Sequence, residues 1–318
     1  MFEKNDNTDI NYRENVVQFM NWKTTAFSVS ALLLMLSLII ISMRGFYWGL
    51  DFTGGTIIEV VLQKQANLDH MRSKLKELGF TKIQVQNFGS SHDYIIHIPL
   101  QKKYLNTDLG GQILRSIQHA IPEKINVKRI EYVGPRVGSE LLIIGGIALL
   151  SALIAIFLYI TIRFAWRLAL GIVLALIHDL IITIGALSLF QIEIDFTIIA
   201  SLLSVIGYSL NDKIVVSDRI RENCRKISTI ASSFVCIINL SITQTFRRTI
   251  ITSIITLMMV LILFIFGGSM LRGFSLTMLI GIIIGTISSI YTSSSLALQL
   301  GIQRDHLISN REDKVTEE

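Results

Sequence analysis

The chain is 318 residues long, 51% hydrophobic and only 17% charged, with 3 prolines and a formal net charge of +5. A soluble protein would carry about a quarter charged residues, so the composition argues against one. The modest positive charge also argues against a nucleic-acid partner, because the basic residues gather in short loops beside apolar blocks. There they set orientation and meet anionic membrane lipid.

Residues 1–23 read as a polar cytoplasmic tail without a secretory signal. The first apolar block begins late, near Thr24, and has no small-residue cleavage site. Six apolar blocks have the roughly 20 residues that crossing a bilayer demands: 24–43, 141–162, 168–190, 194–216, 249–266 and 276–298. Buried helices of a large soluble protein are the other reading, disfavoured by so many blocks with so few charges. In lipid each must be helical to satisfy its backbone. Arg163 and Arg167 flank one turn, and Lys213, Arg219, Arg221, Arg225, Lys226, Arg247 and Arg248 crowd the segment between spans four and five. Opposite turns hold Glu193 and Asp195, and only Arg272. Positive residues stay inside. Both termini are therefore expected in the cytoplasm, with 44–138 outside, a bundle over 139–300 containing a cytoplasmic loop at 217–248, and a tail at 301–318.

The 44–138 segment reads as one small α+β domain. Gly55–Leu62 is rich in β-branched strand formers, and further strands are expected at 82–86, 94–98 and 124–132. Asn67 can cap a helix bearing Leu68, Met71, Leu75 and Leu78, stopped by Gly79; a second, over 108–121, presents Leu109, Ile113, Ile117 and Ile121. The order is βαββαβ, the ferredoxin-like pattern. Without a cysteine, a histidine pair or a phosphate-cradling loop, the domain reads as a docking module rather than an enzyme. No cofactor or metal is expected, and Cys224 and Cys236 imply neither a disulfide framework nor a metal site.

Polar residues within the spans are informative because an acid at a helix centre costs about 2.5–3.5 kcal/mol. Asp212 lies about one turn inside the expected end of span four, Arg248 opens span five, and Thr252 lies one turn deeper. These three can meet at one depth, either as a proton relay or as a structural ion pair joining two helices. Asn211, Ser209 and Gly207 extend the polar line toward the membrane centre. His178 and Asp179, near the middle of span three, are a second candidate: a relay, or a lock onto a neighbouring helix. Gly281-x3-Gly285 and the serines after it read as close packing. Arg219, Arg221 and Glu222 read as a functional loop or a solvated basic face, and 234–240 as an interfacial segment.

These residues carry a resemblance. Gly49-Leu-Asp51-Phe52-Thr53-Gly54-Gly55-Thr56 is similar to the signature that opens the first external domain of the SecF family. Gly134 and Pro135, in Val133-Gly-Pro-Arg-Val-Gly-Ser-Glu-Leu141, match that family's approach to span two. His178-Asp179, the 207–223 stretch and Arg248-Thr-Ile-Ile-Thr252-Ser also stand where the family carries theirs. The resemblance implies a subunit of the resistance–nodulation–division superfamily in a bacterial cytoplasmic membrane. It would pair with SecD, use the proton-motive force, and assist preproteins through the SecYEG channel. It also implies that Asp212, Arg248 and Thr252 conduct protons. The family usually has Thr or another small polar residue where this chain has Lys213, which is expected to snorkel to the cytoplasmic interface. Two other functions stay open: a half-size exporter of lipids or small hydrophobic molecules, and an intramembrane hydrolase using Asp179 and Asp212.

Overall fold

A computed structural model describes residues 16–62, 73, 84–87, 92–99, 125–164, 166–226 and 234–291. Its apolar blocks form long helices: α1 (Lys23–Arg44), α3 (Pro135–Arg163), α4 (Trp166–Leu189), α5 (Phe196–Lys226), α6 (Phe234–Phe266) and α7 (Gly268–Ile290), with a short α2 (Leu50–Thr53) after α1. Six helices are long and apolar enough to cross a membrane. Gly45, at φ 66°, ends α1, and Pro135 opens α3 at its first position, where a missing N–H costs nothing. Asp195 caps α5, its Oδ1 accepting from the Ile198 N–H at 2.8 Å.

Four strands follow α2: β1 (Gly55–Leu62), β2 (Gln84–Asn87), β3 (Asp93–Pro99) and β4 (Ile125–Val133). They pair antiparallel in the order β2-β3-β1-β4, with a bulge between Glu59 and Val60. Alternation puts Ile58, Val60 and Leu62 with Val85, Tyr94, Ile96 and Ile98 on one buried face. A βαββαβ chain needs this strand order. Its two expected helices, at 67–78 and 108–121, lie outside the described residues except for Ser73, which is helical, as does span six beyond Tyr291.

Two helices run further than their apolar blocks. The segment expected as a loop at 217–248 is helical in both described parts, 217–226 and 234–248. Hydropathy marks only the lipid-facing run. Beyond it α5 continues as a polar helix in which Glu222 pairs with Arg219 and with Lys226 at i+4, both at 2.6 Å. Arg219 also donates to Gln244 at 2.6 Å, and Asn223 donates to Ser241 at 2.8 Å, so this stretch clamps α5 to α6. The expected interfacial segment at 234–240 is instead the start of α6, with Ile237 and Ile238 buried in the core. The described end of the N-terminal tail is likewise anchored: a 3-10 turn (Phe19–Trp22) buries Phe19 and Met20 and donates the Met20 N–H to Asn239 Oδ1 at 2.9 Å.

In the bundle α4 is central, touching α1, α3, α5 and α7, while α5 touches α3, α4, α6 and α7.

Candidate functional site

The polar residues of the spans converge where α4, α5, α6 and α7 meet. On α5, Ser209 and Lys213 are four residues apart and so share a face. Both point at Asp179 on α4. Lys213 Nζ donates to Asp179 Oδ2 at 2.7 Å and to Ser209 Oγ, while Ser209 Oγ donates to the same Oδ2 at 2.7 Å. The other carboxylate oxygen faces His178 Nδ1 at 3.0 Å. Lys213 is 0% and Asp179 1% exposed. Lys213 therefore does not snorkel to an interface as expected. Because α5 runs on to Lys226, Lys213 is not near a helix end, and its ammonium finds an anion across the bundle instead.

Small residues let α7 come close enough to seal this cluster. A methyl on Gly285 would lie 2.8 Å from Ser209 Oγ, and one on Gly281 would press into Val205. These two contacts set α5 and α7 in parallel register. Ser253 on α6 joins both neighbours, bonding Tyr208 at 3.1 Å and Thr286 at 2.9 Å. One turn along from those contacts the register brings Asp212, Thr249 and Ser288 to one level. Asp212 Oδ2, Thr249 Oγ1 and Ser288 Oγ are each buried without a hydrogen-bond partner in the chain. Such orphaned atoms are rare and costly, and here three helices each contribute one.

Asp212 is 3% exposed, and the charges of Lys213 and Arg248 both act on it. Among the described residues no hydrogen bond or ion pair joins it to Arg248 or Thr252. Arg248 lies on the exposed face of α6, and Thr252 turns its hydroxyl to the Arg248 and Thr249 carbonyls at 3.0 Å. Asn211 is exposed. On α6 and α7 the buried, unpartnered hydroxyls belong to Thr249 and Ser288 instead. Neither was singled out by sequence reasoning as chemistry, although Thr249 at i+4 from Thr245 continues a polar row along α6.

The signature residues are a joint. Gly49 accepts no side chain, since a methyl would lie 2.8 Å from the Ile194 carbonyl, and its N–H donates to that oxygen at 2.7 Å. Asp51 Oδ2 accepts from the Phe196 N–H at 2.9 Å at the start of α5. Phe52 is buried against Trp48, and Thr53 donates to the Gly49 carbonyl at 3.1 Å. Gly54 and Gly55 take positive φ to turn the chain into β1. Gly134 and Pro135 lead from β4 into α3, where Gly138 meets the Phe52 carbonyl closely. Nearby, burial and the Glu193 charge push the Tyr47 hydroxyl above its ordinary pKa.

Residues 113–303 match the family model for the C-terminal region of the protein export membrane proteins SecD and SecF, and residues 39–66 match the SecD/SecF GG motif. The chain is 53% identical over 306 residues to the protein translocase subunit SecF of Escherichia coli O157:H7, covering 96% of this chain and 94% of that one. It is 48% identical to the SecF subunit of Vibrio alginolyticus, covering 95% of each. The crystal structure of SecDF, a translocon-associated membrane protein from Thermus thermophilus, superposes with a TM-score of 0.80 at 34% identity. That match takes in 90% of this chain but only 39% of the SecDF chain. With the bundle, the signature joint and these matches in agreement, the chain belongs to the SecF family of protein translocase subunits and is a multi-pass membrane protein.

Proposed function

We propose that this chain pairs with a SecD subunit to form a motor that uses the proton-motive force to promote preprotein translocation and release through the SecYEG channel. The observation that carries the reading is Asp212: a carboxylate with one oxygen orphaned, buried where three helices present unpartnered oxygens. A carboxylate so placed can take up and release a proton, and it works without covalent chemistry. Arg248 is the cation that stabilises the anionic form, and Thr252 an accessory hydroxyl that must leave its own helix carbonyls to take part. His178 and Asp179 stand outside the relay, since both Asp179 oxygens are engaged. Positive loops favour an orientation with both termini in the cytoplasm of a bacterial inner membrane. The 44–138 segment then forms a ferredoxin-like docking module outside it.

One proton is a usable drive, because moving a charge across 100 mV is worth about 2.3 kcal/mol. Asp212→Asn keeps size and hydrogen bonding but cannot titrate. In membrane vesicles carrying the SecD complex it should assemble normally and lose all stimulation of export by the proton-motive force. Stimulation at the native rate would overturn the assignment.

A further inference from the structure

Two buried acids and one buried ammonium share this bundle, and the ammonium has a choice. Lys213 follows Asp212 directly in sequence, and its flexible stem can carry Nζ toward either carboxylate. It bonds Asp179 Oδ2 and Ser209 Oγ, while Asp212 Oδ2 has no partner. We infer that Asp179 is a positioning residue that holds the Lys213 ammonium away from Asp212, so that the neighbouring carboxylate stays free to exchange a proton. The inference rests on the proton-carrying role of Asp212 argued above.

The geometry suits a permanent attachment. Asp179 is fixed from three directions, by His178 on its own helix and by Ser209 and Lys213 across the α4–α5 contact. Ser209 closes the ring by donating to Oδ2 while accepting from Nζ. Gly285 packs against Ser209 with no room for a methyl, which keeps the hydroxyl in place. An ammonium and a carboxylate held together this way are jointly neutral. The Lys213 charge already acts on Asp212 ahead of that of Arg248, and released from Asp179 the ammonium could move closer still. An opposite charge within about 4–6 Å favours the charged form of a carboxylate by about 10- to 1,000-fold, which would close Asp212 to protons.

A simple helix lock and a guard make opposite forecasts for paired variants. If the pair only locks α4 to α5, removing both partners does at least as much harm as removing one. If Asp179 is a guard, Asp179→Asn frees the ammonium and does the greater harm, and removing Lys213 as well repairs it. The measurement is proton-driven export and proton uptake by vesicles carrying the intact SecD complex, with assembly followed by co-purification. Asp179→Asn should slow both by about tenfold or more, and D179N/K213T should recover to within about threefold of native. Should Asp179→Asn fail to assemble, Lys213→Thr answers in its place: it should transport like D179N/K213T, since Asp179 has nothing left to hold. Asp179→Asn at the native rate, a double variant no better than D179N, or an assembled but inactive Lys213→Thr would each overturn the guard. Asp212→Asn separates the two claims. If it transports normally, the underlying reading fails; if it is inactive while the double variant shows no rescue, only the guard fails.

Discussion

Gly281→Ala should loosen the bundle although it adds a single methyl. That carbon would lie 2.6 Å from Val205 Cγ1 and closer still to Cγ2, where carbon contacts are about 3.5–4.0 Å. Val205 is 1% exposed and β-branched, so no rotamer swings its methyls clear. The helices must part by about 1 Å. Overpacking of this kind costs about 1–3 kcal/mol, and the better helix propensity of alanine returns about 0.5–1 kcal/mol. The net loss is about 0–2.5 kcal/mol. Gly146→Ala is the control, since a methyl there meets nothing within 4 Å, and it should be neutral or slightly stabilising. In a Val205→Ala background the Gly281→Ala penalty should vanish, a coupling of about 1 kcal/mol or more. Equilibrium unfolding of the purified complex in detergent micelles measures all four variants. If Gly281→Ala stabilises as Gly146→Ala does, or costs as much when Val205 is alanine, α5 and α7 do not meet at this glycine.

Asp51→Ala removes an acceptor from the Phe196 N–H, a cap-type loss of about 1 kcal/mol. Amide exchange at Phe196 should then quicken about fivefold, less with Asp51→Asn, and unchanged exchange would mean that the joint does not rest on this carboxylate. Asn239→Leu strands the Met20 N–H at a cost of about 1–3 kcal/mol, so protease should cut residues 17–22 faster while the helical bundle stays intact. Native resistance would show that burial of Phe19 and Met20 is sufficient to hold the turn. Asp218→Asn breaks only a pair with Arg163 whose side chains are 46% and 40% exposed, worth less than about 1 kcal/mol. A large fall in melting temperature would contradict that.

The elements easiest to read in the sequence were those in which one-dimensional pattern and physical cause coincide. The Gly55–Leu62 run became β1 with those bounds, because β-branched side chains alternate between a buried and an open face. Spans two and three were legible because nothing but a helix satisfies a long apolar backbone in lipid. The ends of α5 and the start of α6 were not. Arg219 and Glu222 read as part of a functional loop or a solvated basic face, and Lys226 as a loop cation, when only hydropathy is counted. Their i+3 and i+4 spacing was the overlooked signal, and it turns the same charges into helix-stabilising pairs.

The candidate site shows a different limit. Sequence gives depth along a helix with an error of a residue or two, and the expected meeting of Asp212 with Arg248 and Thr252 was a statement about depth alone. Azimuth is another matter, because each residue rotates the side chain by about 100°, and a helix exposes its orientation only through what it packs against. Arg248 and Thr249 are adjacent in sequence, yet one is exposed and the other 2% exposed with its hydroxyl at the level of Asp212. Lys213 shows the same effect with larger consequences. One residue from Asp212, it turns toward α4 rather than α6, and there it meets Asp179, an acid whose own role was undecided for want of a partner. Lys213 read as an interface anchor, and Asp179 as a relay or as a lock onto a neighbouring helix. Their contact across 34 positions of sequence removes the first reading and supplies the partner on a neighbouring helix that the last one lacked.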